Sequence, residues 1–286
     1  MKEELKQLSR AHFPPLLREI PDAPKQLFVR GELPSFDDAW LAVVGSRAAS
    51  SYGRQVCDYL IEGLRGHPVV IVSGLAYGID ACAHKAALSA GLPTVAVPGS
   101  GLDWDVMYPR ANVNLAKEII KAGGAHLSEF DPDQKAADYT FPQRNRIMAG
   151  MCRATLVIEA KERSGSLITA RLATEYNREL LVVPGNIFSE LSKGTHQFLK
   201  LGATPVTGPE DVLKALGIDS EAKKLFDRND LSFDEARVLD IIAHPCSRDE
   251  LLTTLELPIS EANILLSTME IKGLIQEELG VIRQAR

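Results

Sequence analysis

Seven short runs of Val, Ile, Leu and Ala stand out between residues 41 and 206. They are LAVVG at 41, VVIVSG at 69, TVAVPG at 94, AHLSE at 125, ATLVIEA at 154, LLVVPG at 180 and TPV at 204. Segments of helical composition separate most of them, including 54–64, 79–90, 113–122 and 169–177. Strands that are apolar throughout and alternate with helices are typical of a parallel sheet covered on both faces. Residues 36–217 are therefore predicted to form one doubly wound, Rossmann-like α/β domain.

The segments on either side of this domain follow other patterns. Residues 1–35 are rich in proline and are predicted to be a short N-terminal extension with one short helix. Residues 218–230 are charged and are predicted to be a linker. Residues 231–286 contain three helix patterns, with serines expected as N-caps, and then a short hairpin pattern. That order predicts a small winged-helix-like domain.

The composition is that of an ordinary globular protein, with 45% hydrophobic and 24% charged residues in 286. No apolar run reaches the roughly 20 residues of a membrane span, and MKEELKQLSR lacks the apolar core of a signal peptide. A cytoplasmic location is therefore expected. The four cysteines lie far apart without a C-x-x-C pair, so we expect neither a zinc site nor a disulfide framework.

Charge is unevenly distributed along the chain. The formal net charge of −6 argues at first against a nucleic-acid partner, because Lys and Arg bind phosphates. Residues 231–286 hold 5 Lys and Arg against 10 Asp and Glu, which leaves 27 against 28 for residues 1–230. The larger part is thus nearly neutral, and a basic cleft within it remains compatible with the sequence.

Glycine turns follow several of the predicted strands. They include Gly45-Ser46-Arg47, Ser73-Gly74, Pro98-Gly99 and Pro184-Gly185. Glycine lets a ligand approach the backbone, and the next helix offers free N–H groups to an anion. The carboxyl edge of the sheet is therefore a candidate binding surface. Any one of these loops also fits a tight turn without a ligand.

The first turn has its own chemistry. The P-loop motif G-x-x-x-x-G-K-[ST] and the dinucleotide motif G-x-G-x-x-G are both missing, so no ATP or nicotinamide cofactor is expected. Ser46 and Arg47 instead place a hydroxyl and a guanidinium beside a helix start, and both groups bind phosphate. The alternative is that they cap the helix and pair on the surface.

Three further segments add candidate ligands for a nucleic acid. DYTFPQRNRIMAG at 138–150 combines an aromatic ring with guanidinium groups, the pairing that holds single strands. YPRAN at 108–112 adds a basic residue before a helix, and RSGS at 163–166 is a small-residue loop suited to a phosphate. The candidates are Ser73, Gly74, Arg110, Asn112, Phe141, Arg144, Asn145, Arg146, Ser164, Gly165 and Ser166, with Gly45, Ser46 and Arg47.

An enzymatic reading rests on Asp80 and His84, which lie on one helix face at i and i+4 and could act as an acid/base pair. The structural alternative is that Asp80 favours the helix start while His84 hydrogen-bonds to it.

Several motifs, taken in order, closely resemble the DNA-processing protein A family, also called DprA or Smf. They are AVVGSR, IVSGLAYGIDACAH, TVAVPGSGLDWDVMYPRAN, LSEF, FPQRNRIMAG, RSGSLITA and VVPGNIFSELSKGTHQFLKLGA. The resemblance covers roughly residues 25–217. It implies a non-enzymatic homodimer that binds and protects single-stranded DNA and helps load the RecA recombinase in natural transformation. By motif position, the family's DNA-binding segments correspond to Gly45-Ser46-Arg47, Arg110 and Phe141 with Arg144-Asn145-Arg146.

Two points qualify the resemblance. The third helix of the C-terminal domain carries Glu261 and Glu270 against Lys272, so that domain is expected to contact protein rather than duplex DNA. A nucleotide enzyme of the phosphoribohydrolase type would use the same loops for one nucleotide. Such enzymes have a Pro-Gly-Gly-x-Gly-Thr-x-x-Glu segment, whereas the comparable segment here is RSGSLITARLATE.

Overall fold

The computed structural model describes residues 5–218, 232–242, 246–255, 257–272, 274–278 and 280–284. The chain divides into two compact units, Met1–Asp219 and Ser220–Arg286. Apart from Ile218, the predicted linker lies outside the described residues.

The larger unit is built on a nine-stranded sheet in the order β1-β2-β6-β5-β4-β3-β7-β8-β9. The strands are β1 (Leu5–Leu8), β2 (Leu27–Gly31), β3 (Ala39–Val44), β4 (Val69–Ser73), β5 (Thr94–Ala96), β6 (Ala125–Ser128), β7 (Ala154–Val157), β8 (Glu179–Val182) and β9 (Thr204–Pro205). The strands β3 to β9 pair in parallel. All seven strands predicted from apolar runs are present.

Helices cover both faces of the sheet. They are α1 (Ser51–Glu62), α2 (Ile79–Ser89), α3 (Val113–Lys121), α4 (Thr140–Met151), α5 (Ser166–Glu175), α6 (Lys193–Lys200) and α7 (Pro209–Ala215). The strand β3 shows why two layers form, because Leu41 and Val43 pack against α1, α2 and α7 while Ala42 and Val44 pack against α4, α5 and α6. This is the doubly wound α/β fold that the sequence predicts.

The sheet reverses its winding direction between β3 and β7. The chain runs from β3 through β4 and β5 to β6, and α4 then carries it back to β7, on the other side of β3. In open α/β sheets such a switch point leaves a crevice outside the carboxyl ends of the strands.

Residues 5–35 differ from the prediction made for the N-terminal extension. In place of one short helix, they form two strands and two short 3₁₀ helices, Arg10–His12 and Pro15–Arg18. The strand β2 pairs antiparallel with β6, and β1 pairs antiparallel with β2, so the segment extends the sheet edge. The signal was weak because β1 is short and half of its residues are exposed.

The smaller unit has the winged-helix order. It contains α8 (Phe233–Ile241), β10 (Cys246–Ser247), α9 (Arg248–Leu255), α10 (Ile259–Ile271), β11 (Ile275–Glu278) and β12 (Val281–Gln284). Its strands form an antiparallel sheet in the order β10-β12-β11. Ser232 caps α8 as predicted, with Glu235 N–H donating to its Oγ at 3.2 Å. The expected cap at Ser260 is wrong, because α10 begins at Ile259, directly after Pro258, and Ser260 lies inside the helix.

Among the residues described, no helix combines the length and the apolarity that crossing a membrane requires.

Candidate nucleic-acid interface

The loop between β3 and α1 carries Gly45, Ser46 and Arg47 at the carboxyl edge of the sheet. Ile79 at the start of α2 donates its N–H to the Ser46 carbonyl at 3.1 Å. Gly45 fits closely against the same residue, because a Cβ at this position would lie 2.7 Å from Ile79 Cγ1. The loop is therefore held on α2, while the Arg47 side chain is exposed.

Gly78, just before α2, allows this close approach of two loops. It adopts a φ of +75°, which L side chains rarely adopt, and a Cβ here would lie 2.2 Å from the Ser46 carbonyl oxygen. The glycine before α2 thus lets that loop pack directly against the loop after β3.

A cluster of one guanidinium and two aromatic rings forms at this edge, made by the exposed Arg47 and Tyr108 and the half-buried Phe141. The guanidinium carbon of Arg47 lies 4.8 Å from the centroid of the Phe141 ring. The Phe141 and Tyr108 ring centroids are 5.8 Å apart, at an interplanar angle of 57°. Tyr108 is 41% exposed, so its ring is accessible to a ligand. Such groups bind the phosphates and stack on the bases of single strands.

Tyr108 was not among the candidates from the sequence. The signal was present in the order Tyr-Pro-Arg before a helix, but only the structure places its ring against Phe141. A segment about thirty residues away in the chain supplies the second ring of the cluster.

Gly99 after β5 determines where the Phe141 ring lies. A Cβ at Gly99 would be 2.6 Å from Phe141 Cδ1. The neighbouring Thr140 donates its hydroxyl to the Gly99 carbonyl at 2.6 Å. The first turn of α4 is thus hydrogen-bonded to the loop after β5, and the Phe141 ring packs against Gly99 in that loop.

Arg144, predicted from the sequence as a DNA ligand, points into the fold in this structure. The residue is only 4% exposed. Its guanidinium donates to the carbonyl of Gly74 at 2.6 Å and to that of Val97. Its Nε–H donates to Asn145 Oδ1 at 3.1 Å. Arg144 therefore joins the loops after β4 and β5 instead of facing a ligand.

The buried charge of Arg144 still shapes the electrostatics of the edge. Burial lowers the pKa of Arg144 to about 10, the Asp80 carboxylate opposes this, and the positive charge of Arg47 adds to the lowering. Burial raises the pKa of Asp80, against the opposing effect of Arg144. The carboxylate also accepts the Gly74 N–H at 3.1 Å. Arg144 and Arg47 are thus close enough for their positive charges to interact.

Arg146, also predicted as a DNA ligand, has protein partners in this structure. Its guanidinium forms an ion pair with Glu129 and donates to the Asp22 carbonyl at 2.6 Å. A further contact joins its Nε to the Asp22 carboxylate at 3.7 Å. With these acidic partners, and a side chain only 13% exposed, Arg146 ties α4 to the N-terminal segment.

Arg110 and Asn112 have different environments. Arg110 is exposed and donates to the Trp104 carbonyl at 2.9 Å. Asn112 donates its side-chain amide to the carbonyls of Leu75 at 2.8 Å and Ala76 at 3.1 Å. Arg110 is thus placed to meet a ligand, whereas Asn112 holds the loop after β4.

Ser73 is buried and belongs to the framework of the sheet. Its hydroxyl donates to the Val43 carbonyl at 2.6 Å and so links the ends of β4 and β3. This contact leaves the hydroxyl of Ser73, a predicted DNA ligand, inside the fold.

The segment Ser164-Gly165-Ser166 leads into α5, whose first residue is Ser166, on the same edge of the sheet. The Ser166 N–H donates to Ser164 Oγ at 3.2 Å, and the two hydroxyls are hydrogen-bonded. Asn145 donates to the Gly165 carbonyl at 3.3 Å, which connects this loop to α4. Gly165 is exposed and open to solvent, so the loop is accessible from outside.

Asp80 and His84 do not form the pair considered from the sequence. His84 Nδ1 lies 2.8 Å from the Thr94 hydroxyl, and the ring is completely buried. Burial lowers the pKa of His84 to about 3, with His126 adding to the effect. A completely buried ring cannot reach a substrate, so His84 has no place in an acid/base pair at this edge. No group of three His, Cys, Asp or Glu among the described residues is arranged to hold a metal ion.

Known proteins with similar sequences support the resemblance. The sequence profile of DNA recombination-mediator protein A matches residues 5–217, and that of the DprA winged helix domain matches residues 226–280. The chain is 46% identical to protein Smf of Escherichia coli K12 over 204 residues, which are 71% of this chain and 54% of that protein. It is 48% identical to DNA processing protein DprA of Streptococcus pneumoniae R6 over 199 residues, 69% of this chain and 68% of that protein. The chain thus spans about half the length of the first relative and two thirds of the second.

Two solved structures agree with these matches. The X-ray structure of DNA processing protein A from Streptococcus pneumoniae has a TM-score of 0.68 and 44% identity, and the match covers 74% of each chain. The structure of the Helicobacter pylori protein, described for its single-stranded DNA binding mode, has a TM-score of 0.67 and 29% identity. That match covers 75% of this chain and 96% of the other. With its doubly wound sheet, its winged helix and these matches, the chain belongs to the DNA recombination-mediator protein A (DprA/Smf) family.

Proposed function

We propose that the carboxyl edge of the sheet in this chain binds single-stranded DNA. The observation that carries the proposal is the cluster of Arg47, Phe141 and Tyr108, which presents a guanidinium and two aromatic rings at the switch point of the fold. A single strand offers both partners, because its phosphates meet the cation and its unpaired bases stack on the rings. In a duplex the base faces are covered by their neighbours.

The family relationship supports the same ligand. The relative from Helicobacter pylori is described as binding single-stranded DNA. We assign Arg47 and Arg110 to phosphates, Phe141 and Tyr108 to bases, and the exposed loop at Gly165 to a further phosphate. Gly45, Ser46, Gly74, Asn112 and Asn145 hold the loops that carry these groups. No catalytic residue is assigned, and binding alone accounts for the geometry.

The finer proposal is that this binding serves recombination. We propose that the chain protects incoming single strands in the cytoplasm and helps load RecA in natural transformation, acting as a homodimer. The support is membership in a family whose profile is described as a recombination mediator. RecA assembly on oligothymidine, followed by its ATPase rate, is expected to accelerate with the wild type and much less with Arg47→Ala. Equal acceleration by both proteins would show that the mediator role does not depend on this cluster.

Fluorescence anisotropy of a labelled oligothymidine in a salt series tests the binding site. Arg47→Ala and Phe141→Leu are both expected to weaken binding, and only Arg47→Ala is expected to make the salt dependence shallower, by about 0.7 in log–log slope, since one phosphate contact is lost. Phe141→Leu is expected to weaken binding by roughly 1–3 kcal/mol through lost stacking.

Arg65→Ala is the matched control. Arg65 is exposed, follows α1 at the opposite edge of the sheet and pairs with Glu62, so its loss removes the same charge far from the cluster. Binding by this variant should equal that of the wild type. If Arg47→Ala binds as the control does, or if a mononucleotide competes as well as the oligomer, the assignment of this edge to single-stranded DNA is wrong.

A further inference from the structure

Trp104, in the loop after β5, lies at the centre of a second basic cluster. The guanidinium carbon of Arg30 lies 5.0 Å from its ring centroid, and the ammonium of Lys117 lies 5.6 Å from it. His126 meets the same indole edge-on, with 5.7 Å between the ring centroids. Trp104 is therefore ordered by contacts on several sides.

The N-terminal strands explain why this tryptophan is held so firmly. Arg30 is on β2 and is buried, and it donates to the Leu102 carbonyl at 3.2 Å. It also approaches the Asp103 carboxylate at 3.8 Å. The strand pair that the sequence did not predict thus supplies a cation beneath the Trp104 loop.

Two exposed cations are then fixed against Trp104. Lys117 on α3 lies over the indole ring, and Arg110 donates to the backbone carbonyl of the same residue at 2.9 Å. A lysine in solvent samples many rotamers, and a cation–π contact restricts it while leaving its N–H groups free to donate. Both cations are therefore preorganised for an anion.

This second cluster continues the first. Tyr108, which contacts Phe141, stands two residues before Arg110 in the same loop. Contacts join Arg47, Phe141 and Tyr108 in the first cluster and Arg110, Trp104 and Lys117 in the second, and the short loop from Tyr108 to Arg110 connects the two.

We infer that Lys117 is an additional phosphate-binding residue, positioned by Trp104, for the part of the strand that extends beyond the Arg47–Phe141–Tyr108 cluster. The ligand is the phosphodiester backbone of single-stranded DNA, and the inference rests on the proposed function. Because Arg30, Lys117 and His126 all contact the indole, Trp104 orients Lys117 and is not assigned to base stacking. Asp103 is engaged by Arg30, whereas the exposed Asp105 sets a negative charge beside the path. We expect the strand to pass on the Lys117 side.

The test uses the full chain and labelled oligothymidines of about 4 to about 16 nucleotides. Lys117→Ala is expected to bind the shortest oligomers like the wild type and the longer ones several-fold more weakly, with a salt slope shallower by about 0.7. Lys117→Arg should restore the slope. Lys121→Ala is the matched control, since Lys121 is also exposed and lies one turn further along α3, away from Trp104.

The possible outcomes separate this inference from the proposed function. Loss of binding with Arg47→Ala, together with equal behaviour of Lys117→Ala and Lys121→Ala at every length, would overturn the second site and leave the first intact. A wild type that binds no oligomer would refute the proposed function itself. Circular dichroism of each variant checks that the fold is unchanged.

Discussion

Arg47 and Arg144 were both predicted to bind phosphate, but their environments in the structure are opposite. Arg47 follows a glycine turn and is exposed over an aromatic ring, whereas Arg144 follows an aromatic residue and is buried among backbone carbonyls. Both fit the pattern of a phosphate ligand in the sequence. Only the three-dimensional environment decides which one meets a ligand and which one holds the loops.

Arg144→Leu is expected to lower the free energy of unfolding by about 3 kcal/mol or more, because the carbonyls of Gly74 and Val97 lose a buried donor and Asp80 loses a nearby positive charge. Arg47→Ala should change it by less than about 0.5 kcal/mol, as is usual for exposed sites. Urea denaturation of both variants measures the difference. Similar stabilities would show that Arg144 has no structural role.

His126 makes stability depend on pH. Burial lowers its pKa from the ordinary 6.5 to about 4, opposed by its hydrogen bond to the Ala116 carbonyl and reinforced by Arg30. The unfolded chain therefore binds a proton near pH 6.5 that the folded chain rejects until about pH 4, so stability falls as the pH drops through this window. By pH 5 the loss is on the order of 2 kcal/mol.

His126→Gln removes this loss and keeps a donor for Ala116. Urea denaturation at pH 7 and pH 5 should show a smaller decrease for the variant than for the wild type. Asp80 and Glu129, whose pKa values burial raises, act in the opposite direction and are the same in both proteins. An unchanged decrease in the variant would mean that His126 is not the group responsible.

At the scale of elements, the seven apolar strands could be predicted and the two N-terminal strands could not. The strands β3 and β4 are buried along their whole length, so their apolar runs were unambiguous. The strand β1 has no buried residue, and its pairing with β2 depends on contacts far along the chain. Tyr108 was missed for the same reason, because its ring contacts Phe141 of α4, which is far from it in the sequence.

The helix α10 is the element where a winged helix usually reads a duplex. Its exposed residues include Ile259, Glu261, Ile264 and Glu270. The nearby Lys272 forms an ion pair with Glu235, with 2.7 Å between Nζ and Oε1. An apolar and acidic surface of this kind suits a protein contact better than a phosphate backbone.

Shortening the chain to end at Ile218 is therefore expected to leave its affinity for duplex DNA unchanged. Electrophoretic shift assays with the full chain and the shortened chain make the comparison on one labelled duplex. Glu261→Lys together with Glu270→Lys in the full chain is a control for the charge argument and should raise duplex affinity. A full chain that binds the duplex far more tightly than the shortened one would assign DNA reading to the smaller unit.

At the scale of the whole molecule, negative charge is concentrated in the C-terminal part of the chain. The net charge of −6 arises mostly in residues 231–286, which hold 10 Asp and Glu against 5 Lys and Arg. The larger unit is nearly neutral overall, and it gathers exposed cations at Arg47, Arg110 and Lys117 along one edge. Composition alone is therefore a poor guide to the binding that we propose, because a local field determines it.

The most direct test of the account is a competition between ligands for the wild-type protein. Fluorescence anisotropy of a labelled oligothymidine is measured against unlabelled oligothymidine, duplex DNA of equal length and thymidine monophosphate, at several salt concentrations. The account predicts that the single strand competes best, the duplex more weakly and the mononucleotide least, with an affinity that falls as salt rises. A mononucleotide that competes as well as the oligomer, or a duplex that competes better, would contradict it.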